Sequence, residues 1–589
     1  MIESTALKIL EKTQTKTQMF YQVAMSQPNS HLFEVTLRLD NWQEDRLDLK
    51  MPVWTPGSYL VREYSRHLQD FVAEDSSQKS LVSYKASKNH WQIVTDDVSE
   101  IVVNYRVYAN DLTVRTNHLD ASHGYFNPAA LLMFVPELTK QPITVKIAIP
   151  QPDWQVTTTL PEVAGTTNTY IAQDFDTLVD TPFEIGTQEI YDFEVLGKSH
   201  QFAVWGQGNI NPQQVIKDTK KVIETEAELF GGLPYEKYLF LLHLSGSGYG
   251  GLEHKDCCTL NYPRLGFRNT DKYNRFMQLV AHEFFHLWNI KRIRPQALEV
   301  FDYEQENYTS SLWFSEGTTS YYDILIPLRS GIYNRKKFLE NLSKDLTRYL
   351  TIPGRNVQPL GESSFDAWIK LYRRDFYSDN NQISYYLKGQ FVSLLIDLLI
   401  RKQHHNQRSL DDVMRLMWQR FGKDEVGFSP QQLQTTIEEI AEQDLSEFFY
   451  SYLETTAELP FDDYLKPFGL RVKPILDKEP VPYLGVKVGT ENNREVINFV
   501  EANSPAAIAG IDIKDELLAI EGLKVKSGDL NEHLKNYQSG DRILVTIFHQ
   551  DELKTLSATL TEPRPIRYEI VQCDNLNDLQ KQNLSEWLS

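Results

Sequence analysis

Apolar and polar residues alternate in short stretches along the first third of the chain. The stretches His31–Leu39, Ile101–Tyr108 and Ile143–Ile149 are apolar at every second position, which is the pattern of half-buried β-strands. Turn-forming residues such as Pro56–Gly57 separate stretches of this kind. The alternation therefore predicts an N-terminal antiparallel β domain over residues 17–195.

The pattern becomes helical after this region. The pair Asn211-Pro212 suits the N-cap and first turn of a helix, and apolar residues follow it at helical spacing. A compact apolar strand, Tyr238–Leu244, precedes a long stretch that is mainly helical in pattern to about Leu465. A mainly helical domain is thus predicted over residues 196–473.

The last part of the chain returns to strands. A short linker with proline and charged residues begins at Pro474, and strand-like stretches follow it. They predict a third domain over residues 474–562, and the tail, residues 563–589, is polar with little pattern. The whole chain is therefore predicted to be an α+β protein of several domains.

Composition and charge narrow the classes of function. The chain has 589 residues and a formal net charge of -20, which argues against nucleic-acid binding because phosphate contacts need clustered lysine and arginine. No segment contains the ~20 uninterrupted apolar residues that span a bilayer, and the first 18 residues lack the apolar core of a secretion signal. Three cysteines are too few for a disulfide framework. We therefore expect a cytoplasmic protein that binds neither nucleic acid nor membrane.

The motif that carries chemistry is H-E-x-x-H at His282, Glu283 and His286. Apolar residues at helical spacing surround it, and two histidines four residues apart on a helix share one face and can bind one metal ion. The glutamate between them projects towards a metal-bound water. A chance match is expected on the order of once in fifty such chains. The assignment therefore needs a third ligand.

Glu316 is the candidate for that third ligand. It lies in the apolar window Leu312–Tyr321, where a carboxylate is costly to bury unless it is paired or bound to a metal. Alone, Glu316 would more readily be a solvated charge at a helix start. Asp323, further along the same stretch, is a weaker candidate for an outer partner, a residue that contacts a metal ligand and not the metal itself. Two imidazoles and a carboxylate suit one Zn²⁺ ion with an open position for water.

These motifs resemble those of the gluzincin peptidases, in which two histidines and a glutamate from the next helix bind zinc. Gly250-Gly251-Leu252-Glu253-His254 is similar to the exopeptidase motif of the large aminopeptidases, and Tyr386-Leu387-Lys388-Gly389 is similar to their Y-x-K-G segment. The gap to the third ligand is longer here, and a histidine follows the motif glutamate. These features, with the early segment Trp54–Tyr59, are more similar to the glycyl aminopeptidase family, which carries a C-terminal PDZ domain.

The resemblance implies a thermolysin-like fold for the second domain and roles for the motif residues. Glu253 would pair with the free α-ammonium of a peptide, beside Gly250 and Gly251, and Tyr386 would hydrogen-bond the developing oxyanion. His254 would contact substrate or pack. The resemblance also implies a preference for small N-terminal residues, glycine or alanine. From the residues alone, Glu253 is more readily a turn or capping residue, and Tyr386 is more readily a packed aromatic.

The third domain resembles a PDZ domain of the kind attached to proteases. Tyr483–Val486 precedes a strand-like stretch, and Ser504–Ile511 and Asp515–Gly522 follow in the order of such a domain. The resemblance implies that backbone N–H groups around Leu484, Gly485 and Val486 bind the terminal carboxylate of a peptide. The equal alternative is a module that only packs on the catalytic domain.

The sequence therefore predicts a zinc aminopeptidase that acts on peptides with a free N-terminus. Two alternatives stay open: a zinc endopeptidase, which would also cut blocked peptides, and a PDZ adaptor whose peptidase domain is an inactive scaffold. The scaffold is disfavoured because Glu283 and Tyr386 are retained with the ligands. A polar stretch, Asn117–Asn127 with His118, Asp120 and His123, could line a cleft, but a surface loop is expected there.

Overall fold

The computed structural model describes residues 17–589, which form two compact units. The first unit runs to Ile216 and adds Leu233–Lys272 and Phe301–Asn307. The second unit contains Lys217–Gly232, Tyr273–Val300 and Tyr308–Ser589. The first 18 residues are expected to lack a secretion signal, and all of them except Thr17 and Gln18 lie outside the described residues.

The first unit is built mainly from strands, and the alternating stretches of the sequence form them. Phe33, Val35 and Leu37 are buried in the second strand, whereas the residues between them are partly exposed. The unit also contains one short helix, α1 (Phe175–Val179). The strands are β1 (Gln18–Ala24), β2 (Leu32–Asp40), β3 (Arg46–Lys50), β4 (Leu68–Asp75), β5 (Ser83–Ser87), β6 (His90–Val94), β7 (Glu100–Tyr108), β8 (His118–Asp120), β9 (His123–Phe126), β10 (Ile143–Ala148), β11 (Gln155–Thr157), β12 (Thr169–Ala172), β13 (Phe183–Gly186), β14 (Glu189–Val195), β15 (Lys198–Trp205), β16 (Lys237–Ser245), β17 (Gly250–Glu253) and β18 (Cys257–Pro263).

Three sheets make up the N-terminal β domain. Their strand orders are β12-β10-β1-β2-β7-β4, β11-β13-β9-β8 and β3-β6-β5. Antiparallel pairing dominates, as predicted, and one pair differs: β1 runs parallel to β10. The long stretch of chain between these two strands allows it, because parallel neighbours need a long connection. Tyr21, Val35, Val103 and Val145 belong to the large apolar core of this region.

The fourth sheet of the first unit is mixed, in the order β14-β15-β16-β18-β17. β15, β16 and β18 run parallel, whereas β14 and β17 pair antiparallel at the two edges. Every residue of β16 after Lys237 is buried, as expected for a central parallel strand covered on both faces. The predicted strand Tyr238–Leu244 is thus confirmed.

Helices dominate the second unit. Two helices have residues in both units, α2 (Pro212–Phe230), which starts at the predicted Asn211-Pro212 pair, and α3 (Thr270–Phe285). The others are α4 (Thr319–Arg329), α5 (Arg335–Thr351), α6 (Leu360–Phe365), α7 (Ser378–Asn381), α8 (Tyr385–Gln403), α9 (Leu410–Met417), α10 (Pro430–Ala441), α11 (Ser446–Phe449), α12 (Phe461–Leu465), α13 (Pro505–Ala509), α14 (Leu530–Leu534) and α15 (Asp578–Trp587). The predicted mainly helical region is confirmed.

The third predicted domain is a small β fold within the second unit. Its main sheet has the order β20-β21-β22-β24-β25, with β23 paired to β22. Ile497, Leu517 and Val545 lie in its apolar core. The strands of the second unit are β19 (Leu470–Ile475), β20 (Val486–Glu491), β21 (Arg494–Val500), β22 (Glu516–Ile520), β23 (Leu523–Lys524), β24 (Arg542–His549), β25 (Glu552–Thr559) and β26 (Arg567–Gln572).

The tail after residue 562 is ordered into a strand and a helix, although the sequence predicted little pattern there. β26 pairs with β19, and α15 begins with a reciprocal cap between Asn577 and Gln580. Trp587 is fully buried, and its Nε1–H donates to the Tyr321 hydroxyl at 3.0 Å. The spacing of Asn577 and Gln580 is a helix-start signal that could have revealed α15.

One described stretch, Ser378–Gln403, is long and apolar enough to cross a membrane by length and composition. Its most apolar window is 83% buried inside the protein, which is the setting of a core helix. Asp397 and Arg401 also form a buried ion pair within it, at 3.0 Å. These features fit a helix that packs within the second unit.

Candidate active site

Helix α3 brings the two motif histidines together. Its apolar face, which includes Phe276 and Val280, is buried. His282 lies in its last turn, and the His286 N–H continues the helical pattern by donating to the His282 carbonyl at 3.3 Å. The two imidazole rings lie 4.6 Å apart, at 87° to each other. The predicted convergence of the two side chains is therefore present.

Glu316 joins them from a π-helical turn, Trp313–Thr318, that precedes α4. Its Oε2 lies 3.1 Å from His286 Nε2 and 3.5 Å from His282 Nε2. The side chain is buried, and Oε2 has no hydrogen-bond partner among the described residues. A π-helical turn is often found at a functional site. One carboxylate oxygen thus faces two imidazole nitrogens.

The opposite nitrogen of each imidazole is held by a second partner. His282 Nδ1 lies 3.0 Å from Asp323 Oδ2, and His286 Nδ1 lies 2.8 Å from the Asn289 carbonyl. Such partners fix the ring so that Nε2 presents its lone pair to a metal. Asp323, a weaker candidate in the sequence, is therefore an outer partner of His282.

The charge of this cluster also suits a cation. Burial would raise the pKa of Glu316, but His286 and His282 beside it hold the pKa at about 2, so the carboxylate is ionised. The three donor atoms lie within 4.8 Å of one another. Two imidazole nitrogens and one carboxylate match the protein ligands of catalytic zinc, which bind the ion with a water in the fourth position. The residues present thus fit a zinc ion.

Glu283 follows His282 on α3 and is buried in the same unit. A carboxylate oxygen of Glu283 and a ring nitrogen of His286 lie within 4.8 Å of each other, so the two side chains are close enough to interact. A carboxylate held beside the two histidine ligands is placed for proton transfer. The structure therefore keeps Glu283 with the residues that the motif predicted.

Tyr386, in the first turn of α8, lies beside His282. Its ring stacks on the His282 ring with centroids 6.2 Å apart and an interplanar angle of 25°. Its hydroxyl shares a 3.0 Å hydrogen bond with the Tyr372 hydroxyl. Burial, with a further contribution from Glu316, raises the pKa of Tyr386 well above 10. The phenol therefore stays protonated and can donate a hydrogen bond.

Two glycines of the second unit, Gly317 and Gly389, lie where the π-helical turn and α8 cross. A Cβ on Gly317 would meet Gly389 Cα at 2.5 Å, and a Cβ on Gly389 would meet the Trp313 carbonyl oxygen at 2.6 Å. Only glycine permits this close crossing of the π-helical turn and α8. The crossing fixes Glu316 relative to Tyr386.

The predicted exopeptidase motif lies in the first unit. Gly250, Gly251 and Glu253 lie in the edge strand β17, and Glu253 is buried with its Oε1 lacking a hydrogen-bond partner among the described residues. His254 is also buried, with Nδ1 3.3 Å from Asp180 Oδ1. That contact gives His254 a structural partner. The role of these four residues towards substrate stays a prediction.

Gly57 lies in the early segment Trp54–Tyr59 and packs against the Glu253 carboxylate. It has φ +84, and a Cβ there would meet the Glu253 carboxylate oxygens at 2.6 and 2.7 Å. Both the backbone conformation and the contact require glycine. Two motifs that are far apart in the sequence are therefore in contact in the structure, namely Trp54–Tyr59 and Gly250–His254.

The predicted carboxylate loop of the PDZ domain is a tight turn before β20. Gly485 has φ +90, and a Cβ there would collide with Ser504 at 2.2 Å. Leu484 is buried and its carbonyl accepts from the Ala506 N–H at 3.0 Å. Val486 begins β20, which pairs only with β21 among the described strands. An unpaired strand edge thus follows the loop.

Several residues around these sites carry no signal in the sequence that predicts their position. Tyr372 and Asn289 carry no motif of their own. The stretch Asn117–Asn127, expected to be a surface loop, instead contains the hairpin β8–β9, with His123 fully buried. The expectation was wrong because residues distant in the sequence cover this stretch: the Trp205 ring stacks on His123 with centroids 3.9 Å apart, and Glu184 lies 2.9 Å from His123.

Comparison with known proteins supports one family over most of the chain. Residues 20–187 match the Peptidase M61 N-terminal domain, 275–392 the M61 glycyl aminopeptidase domain, and 482–560 a PDZ domain. No curated protein matches the chain.

Solved structures include a close relative. An aminopeptidase N family protein from Idiomarina loihiensis is 31% identical, with a TM-score of 0.90 over 97% of this chain and 100% of that chain. An M1 zinc metallopeptidase from Deinococcus radiodurans is 12% identical, with a TM-score of 0.47 over 76% of this chain and 96% of that chain. The chain therefore belongs to the M61 glycyl aminopeptidase family and is a peptidase of the aminopeptidase type with a PDZ domain.

Proposed function

We propose that the chain removes small N-terminal residues, glycine and alanine, from peptides, with one zinc ion in the peptidase site. The observation that carries the proposal is the approach of His282 Nε2 and His286 Nε2 to one buried Glu316 oxygen, at 3.5 and 3.1 Å. The preference for small residues is supported by the name of the matching family, glycyl aminopeptidase.

Different residues of the chain carry out different parts of the proposed reaction. Zinc bound at this site would polarise the scissile carbonyl and lower the pKa of its bound water towards neutrality. Glu283 accepts a proton from the attacking water and returns it to the leaving amine. Its burial strengthens its interaction with the charges that develop during the reaction.

Tyr386 donates a hydrogen bond to the oxyanion that forms at the scissile carbonyl. The proton is available because the pKa of its phenol is well above 10. Tyr372 and the stacked His282 ring hold the phenol in place. A donor that is already oriented stabilises the transition state more than one that must be reoriented.

Glu253 anchors the free α-ammonium of the substrate. The carboxylate is buried, and one of its oxygens lacks a hydrogen-bond partner among the described residues. A buried, unsatisfied carboxylate oxygen is costly unless a ligand completes it. An α-ammonium supplies both the charge and the hydrogen bond, which would fix cleavage at the first residue.

The test compares glycine and alanine p-nitroanilides with their N-acetylated forms. We expect cleavage of only the free amines, abolished by a zinc chelator and restored by added zinc. Glu253→Gln should lower kcat/KM for the free amines by at least about tenfold, since it removes a charge-assisted bond. Equal cleavage of the blocked substrates would contradict the proposal and favour an endopeptidase.

A matched control separates anchoring from a general charge effect. Glu236 is an exposed glutamate of the first unit, ion-paired with Lys198 at 2.6 Å. Glu236→Gln should leave kcat/KM within about twofold of wild type, as for a solvent-exposed pair. Zinc bound in full with no cleavage of any substrate would instead support an inactive scaffold.

We further propose that the PDZ loop, Leu484–Val486, binds the C-terminal carboxylate of a peptide. The support is the unpaired edge of β20, where a peptide can add as a strand. The domain also packs on the peptidase part, because Asn380 bonds both the Val500 carbonyl and the Ala502 N–H at 2.9 Å. That contact uses the end of β21 and leaves β20 as an edge.

The measurement is fluorescence anisotropy of labelled peptides with the full chain. A peptide ending in an apolar residue should bind, and its C-terminally amidated form should bind at least about tenfold more weakly because the carboxylate is lost. Equal affinity for the two forms would contradict the carboxylate assignment.

A further inference from the structure

A second group of two histidines and a glutamate lies inside the first unit, and no step of the proposed reaction uses it. His123 comes from β9, Glu184 from β13 and His243 from β16. β9 pairs with β13 so that Gly186 lies opposite His123 and Glu184 lies opposite Tyr125. His123 and Glu184 are therefore diagonal neighbours on one face of that pair. His243 reaches them from another sheet.

The donor atoms of this group are in close contact. His123 Nε2 lies 2.9 Å from Glu184 Oε1, and His243 Nε2 lies 2.7 Å from Glu184 Oε2. The side chains of His123, His243 and Glu184 are 0%, 1% and 2% exposed. All three contribute one donor atom within 4.8 Å of the others. The ligand atoms of His282, His286 and Glu316 also lie within 4.8 Å of one another.

One contact in the group is not a hydrogen bond. His123 Nε2 and Glu184 Oε1 have no hydrogen-bond partner among the described residues, although they lie 2.9 Å apart. His123 Nδ1 lies 3.2 Å from His118 Nδ1, so one of these two nitrogens must donate to the other. His118 Nε2 faces the Asp120 carboxylate at 3.8 Å, which favours a proton on that nitrogen. His118 Nδ1 then accepts, and His123 Nε2 presents a lone pair to a carboxylate oxygen.

A positive charge is needed between these two atoms, supplied by a proton on His123 Nε2 or by a bound metal ion, and the metal ion also accounts for the approach of His243 to the same carboxylate. The Glu184 side chain is only 2% exposed, so water does not solvate its carboxylate. The ion pairs of the described residues give Glu184 no lysine or arginine partner. A buried charge is tolerated when it is paired or bound to a metal.

We propose that His123, Glu184 and His243 bind a second divalent transition-metal ion, for which Zn²⁺ is the probe. Two imidazoles and a carboxylate are suitable donors for zinc and for its neighbours in the first transition series. The ring of Trp205 stacks on His123 at 3.9 Å, and that of Tyr125 packs edgewise against His243 at 4.7 Å. An ion enclosed in this way is structural: it joins β9 and β13 to β16.

The experiment measures metal content of the full chain after dialysis against buffered micromolar zinc. Mass spectrometry of zinc, iron, cobalt, nickel and copper, scaled to amino-acid analysis, should give about two ions per wild-type chain. Glu184→Gln should retain about one ion and keep hydrolysis of the free-amine anilides within about twofold. One ion in wild type, or two in Glu184→Gln, would overturn the proposal.

A control variant and a second measurement distinguish loss of a metal ligand from misfolding of the variant. His200 is a buried histidine of the same unit whose Nε2 bonds the Tyr235 hydroxyl at 2.7 Å. His200→Gln should keep both ions. In wild-type crystals, anomalous scattering at the zinc edge should place one peak among His123, Glu184 and His243. No peak there in crystals grown with zinc would reject the site without recourse to a variant.

Discussion

The two groups of histidine and glutamate, one in each unit, have the same donor types but different origins in the chain. His282 and His286 come from a single helical turn, and one later residue, Glu316, completes their group. The group in the first unit takes each member from a different strand. A helix encodes the relation between two ligands locally, whereas strands bring ligands together only after the sheets have paired and packed.

The surroundings of the two groups also differ. Beside the histidines of the second unit lie a carboxylate, Glu283, and a protonated phenol, Tyr386. Beside those of the first unit lie aromatic rings, Trp205 and Tyr125. Groups that transfer protons or donate to an oxyanion accompany catalysis, whereas packed rings exclude water. We therefore expect equal donor sets to serve chemistry in one unit and stability in the other.

The largest expected effect separates catalysis from metal binding. Glu283→Gln should lower kcat by about 10³-fold or more, because no group then accepts the proton of the attacking water. Zinc content should equal that of wild type. The comparison partner is Glu184→Gln, which should lose metal and keep activity. Steady-state kinetics and metal analysis of both variants check this, and loss of activity in both would break the distinction.

The next effect concerns the oxyanion donor. Tyr386→Phe should lower kcat by about 10²-fold, the usual cost of removing one such donor, with little change in KM. Tyr385, its neighbour, is the control: its hydroxyl shares a 3.2 Å hydrogen bond with Tyr372. Tyr385→Phe should cost less than about tenfold. The reverse ranking would assign the oxyanion role to Tyr385 instead.

A smaller effect is expected at the outer partners of the histidines. Asp323→Asn should weaken zinc binding at the peptidase site by about 10- to 100-fold, because Asp323 holds Nδ1 of His282. His118→Gln should weaken the second site by a similar factor, since His118 contacts Nδ1 of His123. Competition with a fluorescent chelator measures both constants. An unchanged constant at either site would show that its histidine needs no outer partner.

The smallest effect tests the close backbone crossings. Gly389→Ala should destabilise the second unit by about 1–3 kcal/mol, because the new Cβ meets backbone and the helices must move apart. Gly186→Ala, beside the group in the first unit, should cost less, since its Cβ would lie 3.2 Å from the Ser122 carbonyl oxygen. Gly246, with nothing within 4 Å, is the neutral control. Urea unfolding of the three variants gives the ranking, and equal stabilities would contradict it.

Local patterns in the sequence determined much of the architecture. Alternation along β2 and the buried run in β16 predicted strands that the structure contains, since both patterns depend only on neighbouring residues. The H-E-x-x-H spacing predicted two ligands on one helix face for the same reason. The strand and the helix of the tail were not predicted, because β26 and α15 are held by contacts with distant partners such as β19 and Tyr321.

By itself, the sequence determined the class of this protein: most of its strands and helices and the PDZ module follow from local spacing or motif resemblance, and the roles of the peptidase triad and Glu283 are predictions from the same motifs. Only the tertiary structure decided which polar residues are buried and what they meet there. It placed Tyr372 on Tyr386, Gly57 against Glu253, and His123 beside Glu184 and His243. The physical reason is that burial and contact between distant residues arise from the packing of whole sheets and helices, which no short stretch of sequence specifies.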